Sequence, residues 1–334
     1  MKQYALLLCL LLSLALLTSC ESTLLAGPSR LIEESSTDLT GISSTLAARD
    51  TTTRTDDRVC ALFYRYGSEA FLAPEFHLIT RTSSQSFETA LIQSWITGPL
   101  SGELQPLLPP GVRLLSTSMQ GRTLFVTFSR DIMSSYLDEP VDWQEHDFWR
   151  AESPLRRTLC MEGLVATITE NCDVDQVQVL VDRTSLGSLR LQQNYFLDDS
   201  EDDVLTGPMT RTSEHLLTSE RAMERILDLW MLQDWERLYT CILSRDPNNG
   251  MDRPLYADFV ARMESLPVLT GANLSEASMS LDGSTATFSA DTHMILSGGI
   301  AMDAEGRIFR LTRDQGIWKI SLDHLTSWME VFLP

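Results

Sequence analysis

Hydrophobic positions recur at helical spacing near residue 90 of this chain. Phe87, Leu91 and Trp95 are four residues apart, so they lie on one face of a helix that Ser84 can cap. The Gly-Pro pair at 98–99 ends this helix, because Gly accepts a left-handed conformation and Pro cannot continue the helix. The pattern therefore predicts a short amphipathic helix that stops before position 98.

After this helix, apolar residues recur at every second position instead of every fourth. The stretch LQPLLPPG is too rich in Pro for a helix and predicts a rigid connector, after which Val112 begins a strand. Gln120-Gly121 forms a tight turn. On the returning strand, Leu124, Val126 and Phe128 alternate with polar neighbours. A two-stranded ribbon is predicted here.

A second helix and a last strand complete this half of the chain. Ser153 is expected to cap the helix, with Pro154 as its first residue. The apolar positions of the helix and of the strand are Leu155, Leu159, Leu164, Ile168, Val177, Val179 and Val181. With the strand VCALFYRY that opens the region, the order is βαββαβ, which predicts an α+β domain with helices on one face of a sheet.

The last third of the chain begins with helices. Ala222, Ile226, Leu229 and Trp230 form one apolar stripe, which Ser219 can cap. The stripe breaks near 233–234 and continues in further helices, after which several strands with Gly-containing turns follow. Helices followed by antiparallel strands predict a second α+β domain.

Changes in composition divide the chain into five segments. Residues 20–57 are rich in Ser, Thr and Asp and predict a disordered tether, and the acidic stretch 198–214 reads as a linker. These segments separate a predicted signal peptide at 1–19, a first domain at 58–197 and a second domain at 215–334.

The N-terminus resembles a bacterial lipoprotein signal. Lys2 precedes a short apolar run that ends in Leu-Thr-Ser-Cys, which is similar to a lipobox. In such signals the thiol of Cys20 is diacylated with fatty acids such as palmitate, and cleavage makes Cys20 the mature N-terminus. A simple signal peptide cut at a small residue is the alternative. The resemblance implies a lipid-anchored protein on the extracytoplasmic face of the cell membrane.

Charge and cysteine usage narrow the functional classes. The formal net charge is −20 and the chain has only two lysines, which disfavours binding to nucleic acid. After Cys20, the predicted mature chain contains Cys60, Cys160, Cys172 and Cys241. They contain no CxxC pair and are expected to be buried thiols, although a disulfide that involves Cys60 is left open.

The Gly-Pro helix stop, the connector ending in Pro110-Gly111-Val112, the hairpin LFVTFSRDI and the run GLVATITENCDVDQVQVLVD resemble the GerMN domain of sporulation and spore germination proteins. The resemblance implies a fold close to the ring-building motif of secretion systems. In the second half, LQDWERLY and GIWKISL are similar to the nuclear-transport-factor-like cone, a curved sheet wrapped by helices.

Two sets of residues are candidates for binding. Asp291 and His293 lie two apart on a predicted strand, so a cone cavity could hold them as an acid–base pair for ligand binding or hydrolysis. Trp143, Phe148 and Trp149 lie in an acidic aromatic loop that could bind cell-wall glycan. No common catalytic or metal motif is present in the sequence, so we expect no enzymatic activity, cofactor or metal.

The sequence therefore favours a non-enzymatic, lipid-anchored protein of a Gram-positive-type cell envelope. Its expected partners are the membrane, through Cys20, and other envelope or sporulation proteins. Its expected role lies in sporulation, germination or envelope signalling, and a homo-oligomer is left open.

Overall fold

The computed structural model describes residues 56–183, 187–197, 204–296 and 298–332. Cys20, the predicted signal peptide and the tether up to residue 55 lie outside the described residues. None of the helices in the described ranges combines the length and apolar character needed to cross a bilayer.

The first described strands form a hairpin. β1 (Asp56–Tyr66) pairs antiparallel with β2 (Leu72–Arg81), and the short β3 (Leu104–Gln105) pairs with the end of β1. Cys60, Leu62 and Tyr64 alternate along β1 and face the core. This three-stranded sheet, in the order β2-β1-β3, is separate from the sheet that follows.

Helix α1 (Phe87–Thr97) matches the predicted amphipathic helix. Ser86, not Ser84, is its N-cap, and its Oγ accepts a hydrogen bond of 3.2 Å from Thr89 N. Gly98, at φ 95°, ends the helix, and Trp95 is buried in the last turn. The predicted stop at 98–99 is confirmed.

A second sheet contains the predicted ribbon. β4 (Leu114–Gln120) pairs antiparallel with β5 (Thr123–Phe128), and β5 pairs parallel with β6 (Gln176–Asp182). The parallel pairing follows from the helical crossover between β5 and β6. β7 (Ser188–Arg190) and β8 (Met209–Thr210) both pair antiparallel with β6. The second half of the stretch predicted as a linker therefore contributes a strand to this sheet.

Helix α2 (Asp147–Asn171) connects β5 to β6 and differs from its predicted start. The prediction placed Pro154 at the first position, whereas the helix begins seven residues earlier and Pro154 lies inside it. Tertiary contacts explain the difference. Ser153 is buried, and Glu152 forms an ion pair with the buried Arg65 of β1, which holds this turn helical around the Pro.

Side chains of α2 complete the hydrogen bonds of β1. Asn171 accepts from Ala61 N at 3.1 Å through Oδ1 and donates to Ala61 O at 2.8 Å through Nδ2. Thr167 Oγ1 accepts from Phe63 N at 2.9 Å. Buried backbone groups require such partners, so the helix takes the place of a neighbouring strand.

We expect Asn171→Ala to lower the free energy of unfolding by about 2 kcal/mol, because the amide and carbonyl of Ala61 lose their partners. Urea denaturation followed by tryptophan fluorescence measures the change. Thr169→Ala is the matched control: Thr169 lies on the same helix and its hydroxyl donates only within that helix. A loss no larger than that of the control would show that water replaces the Asn171 side chain.

The second half consists of helices and then a curled antiparallel sheet, as predicted. Thr218 caps the first helix in place of Ser219. The break predicted near 233–234 is confirmed, since Gln233 has φ 56° between two helices. The elements are α3 (Ser219–Met231), α4 (Trp235–Thr240), α5 (Tyr256–Ser265), β9 (Val268–Leu274), β10 (Ser278–Met279), β11 (Thr285–Ile295), β12 (Ala301–Asp314), β13 (Ile317–Ile320) and α6 (Leu322–Thr326).

The strand order is β10-β11-β12-β13, and β9 pairs with another stretch of β11. Short 3-10 helices lie at Arg130–Met133, Trp143–Glu145, Gln193–Phe196 and Ser327–Phe332. The fold class is α+β, in agreement with the prediction.

Candidate functional site

The pair Asp291 and His293 lies on the exposed face of β11. The alternate residues Ala290, Thr292 and Met294 face the core instead. Asp291 Oδ1 accepts from Gly306 N at 2.8 Å, and His293 Nδ1 lies 2.7 Å from Asp303 Oδ1. The prediction that this pair faces into a cavity is therefore wrong: strand alternation places both side chains on the solvent side of the sheet.

The structure brings two of the three predicted aromatic residues together. Phe148 and Trp149 lie in the first turn of α2, not in a loop, with an edge-to-face contact of 5.3 Å between ring centroids. The Arg156 guanidinium lies 5.0 Å from the centre of the Trp149 ring. Trp143 is half-buried in the preceding 3-10 helix. Phe148 remains exposed.

Backbone contacts join the second half of the chain directly to the hairpin. Leu72 N donates to His215 O at 2.7 Å, and Leu217 N donates to Leu72 O at 2.9 Å. The turn between β12 and β13 packs against the same strand at Gly316, where an added Cβ would lie 2.2 Å from Pro74 O. The two halves therefore meet along β2 in backbone-to-backbone contact.

Ion pairs cross the same junction. Lys319 of β13 is 4% exposed, and its Nζ lies 2.6 Å from Glu103 Oε1. Glu69 accepts from Arg225 Nη2 at 3.0 Å and from Arg237 Nε at 2.9 Å. Burial acts to raise the pKa of Glu69, but hydrogen bonds from the two arginines outweigh it, so the pKa is lowered. The carboxylate is therefore held ionised between two cations.

Glu75 and His77 form an acid–base pair that the sequence reasoning missed. They lie two apart on the buried face of β2, with His77 Nε2 2.5 Å from Glu75 Oε2. Both carboxylate oxygens of Glu75 also accept backbone bonds, from Leu100 N at 2.8 Å and Ser101 N at 2.7 Å. The pair therefore fixes the Gly-Pro corner after α1. The signal for it was the alternation of the polar residues Glu75 and His77 in EFHL, but the prediction read only FHLITRTS, as extended chain.

The outer face of the hairpin carries an exposed apolar surface. Val59, Phe76 and Leu78 are 64%, 50% and 65% exposed. Val59 lies opposite Leu78, and Phe76 lies opposite Ala61, so the three side chains share one face of two paired strands. We call these three residues the hairpin face. A contiguous exposed apolar surface is typical of an interaction site.

Residues 63–187 match the profile of the family described as Germane, sporulation and spore germination. The match supports a GerMN-type domain over these residues. The match runs from the middle of β1 to the residue before β7 and covers less than half of the chain. It relates the chain to sporulation and germination proteins.

Three solved structures give further likenesses at low scores. The tandem GerMN domains of the sporulation protein GerM from Bacillus subtilis have 19% identity and a TM-score of 0.30, over 52% of this chain and 51% of that chain. The first GerMN domain of the same protein has 14% identity and a TM-score of 0.24, over 44% and 97%. A SEC-C motif containing protein from Rhodopseudomonas palustris has 18% identity and a TM-score of 0.24, over 30% and 73%.

This chain therefore spans about half the length of the tandem-domain structure. At these scores the likenesses add nothing about function. The comparison with curated proteins gives no match.

The matched residues contain two of the four described cysteines, Cys160 and Cys172, and Cys60 lies just before them on β1. Cys60, Cys160 and Cys172 are free, as is Cys241 in the second half. Burial raises the pKa of the Cys160 and Cys172 thiols to about 12. Thiols with such pKa values are poor nucleophiles. Cys60, Cys160 and Cys241 are buried, as expected, whereas Cys172 is half-buried.

Proposed function

We propose that this chain is a lipid-anchored, extracytoplasmic interaction protein of the bacterial cell envelope that acts in sporulation or germination. Cys20 anchors it, the GerMN-type domain recruits a protein partner through the hairpin face, and the second half supports that domain as a cone-like α+β module. The protein performs no reaction of its own.

The hairpin face is the observation that carries this proposal. Three large apolar side chains remain exposed on a rigid pair of strands that is packed from behind by α1. Loss of water from such side chains on binding contributes roughly 25 cal/mol for each Å² buried. A preformed apolar surface also requires little ordering when a partner docks.

The hydrogen bonds of three carboxylates support a structural role for these side chains. Glu75 holds two backbone amides, Glu69 holds two arginines, and Glu152 holds Arg65. Each carboxylate is occupied by bonds that fix the fold, which leaves it poorly placed to exchange protons with a substrate.

A capture experiment with three versions of the full chain tests the proposal. Envelope extract is passed over immobilised wild type, over Val59→Ser with Phe76→Ser and Leu78→Ser, and over Leu232→Ser with Leu255→Ser and Leu281→Ser. The last set removes three exposed apolar side chains of the second half. We expect the hairpin-face variant to recover about tenfold less of a specific envelope protein than the other two, a loss of about 1.4 kcal/mol in binding.

Equal recovery by all three versions would contradict docking at the hairpin face. Sedimentation of the chain with purified cell wall, abolished by replacing Trp143, Phe148 and Trp149 with Ala, would instead favour the glycan-binding alternative.

Anchoring is tested separately: Cys20→Ala should move the protein from the membrane fraction to the soluble fraction, because the acyl chains supply the membrane affinity. Retention in the membrane would contradict the anchor.

A further inference from the structure

Three metal-ligating side chains from distant parts of the sequence meet beside the junction of the two halves. They are Glu162 of α2 and the neighbours Glu214 and His215, which precede α3. One ligand atom from each lies within 4.8 Å of the other two. His215 Nδ1 is 2.8 Å from Glu162 Oε2. We call these three residues the Glu-His cluster.

The fold holds the Glu-His cluster rigidly. The backbone carbonyl of His215 accepts from Leu72 N, and Leu217 N donates to Leu72 O, so the segment is fixed at His215 and two residues after it. Next to Glu162, Gly163 allows α2 to approach β1 so closely that an added Cβ would lie 3.2 Å from Phe63 O. Both ligand-bearing segments are therefore positioned by backbone contacts, which reduces the ordering that a bound ion would require.

Solvent exposure differs among the three side chains, so that an ion can enter from the exposed side of the cluster. The side chains of Glu162 and His215 are 20% and 19% exposed, whereas Glu214 is exposed. Two carboxylates at this separation repel each other unless a positive charge lies between them. The strongly negative chain as a whole also attracts cations.

We propose that the Glu-His cluster binds one divalent transition-metal ion, with Zn²⁺ as the best fit. One imidazole nitrogen and two carboxylate oxygens form a three-ligand protein set of the kind zinc accepts, with a further position for water. The imidazole disfavours Ca²⁺ and Mg²⁺, which select oxygen ligands. The bound ion would cross-link α2 to the segment that leads into α3, and so tie the GerMN-type domain to the second half.

The competing explanation is a plain His215–Glu162 pair, in which Glu214 has no part. Glu214→Gln distinguishes the two explanations, because it removes one ligand from the proposed site and leaves the 2.8 Å contact between His215 Nδ1 and Glu162 Oε2 intact. Glu170→Gln is the matched control. Glu170 lies on α2, as Glu162 does. It accepts a hydrogen bond from Arg211 and is not a member of the Glu-His cluster.

Isothermal titration of the tag-free full chain with ZnSO₄ measures binding, and thermal unfolding in saturating Zn²⁺ measures the cross-link. We expect one site in the wild type and in Glu170→Gln, at least tenfold weaker binding in Glu214→Gln, and a rise in Tm of several degrees that Glu214→Gln lacks. In metal-free buffer, the Tm of Glu214→Gln should equal that of the wild type. Wild-type affinity in Glu214→Gln, no binding at all, or equally tight binding of Ca²⁺ would overturn the proposal.

Discussion

Replacing Gly316 with alanine is expected to lower the free energy of unfolding by about 4 kcal/mol, since two penalties coincide. The residue has φ +99°, a conformation that side chains rarely adopt, and its new Cβ would lie 2.2 Å from the backbone oxygen of Pro74. Backbone on both sides of the contact cannot give way as a flexible side chain can. Urea denaturation at pH 7 measures the loss.

Gly283→Ala is the matched control for Gly316→Ala. Gly283 also has a positive φ, of +67°, but its Cβ would meet nothing within 4 Å. It should therefore lose only about 1 kcal/mol from backbone strain. The difference between the two variants isolates the contact between the halves. Equal losses would mean that the β12–β13 turn does not press on β2.

Glu152→Gln is expected to lower the free energy of unfolding by about 3 kcal/mol at pH 7, because it leaves the buried guanidinium of Arg65 without its carboxylate. Burial acts to raise the pKa of Glu152, but hydrogen bonds from Arg65 and Arg156 outweigh it, so the pKa is lowered. The stabilisation is thus present above the unfolded-state pKa of about 4.3 and is lost as pH falls through the folded value. The difference between wild type and variant should be large at pH 7 and shrink in acid.

Denaturation at neutral and acidic pH tests this, with Asp138→Asn as the control. Asp138 also bonds Arg156, but it is exposed, so its replacement should cost less than about 1 kcal/mol. A Glu152→Gln loss that stays constant with pH would show that packing, not charge, is responsible.

The elements that the sequence predicted correctly are those that depend on interactions between residues close together in the chain. The α1 helix, its stop at Gly98 and the β4–β5 ribbon all follow from spacing and turn chemistry within a few residues. The start of α2 was missed because the rule for Pro154 is also local, whereas Glu152 is held helical by Arg65, 87 residues away. A distant partner overrode the propensity of the Pro.

The junction and the candidate metal site depend on distant pairs throughout. Lys319 and Glu103 are 216 residues apart, and His215 and Glu162 are 53 apart. No periodicity links such positions, so the sequence predicted two domains without their contacts and did not bring Glu162 and His215 together. Asp291 and His293 show the converse: alternation put them on one face, but only the sheet shows which face is outward.

Along β1, the side chains of Asn171 and Thr167 form hydrogen bonds that a neighbouring strand would otherwise form. An open strand edge offers a repeating row of amides and carbonyls on which another copy can template itself into an aggregate. Here that row ends on side-chain atoms of a helix, which cannot be extended by a further strand. Copies that gather at high density can therefore touch along β1 without polymerising through it.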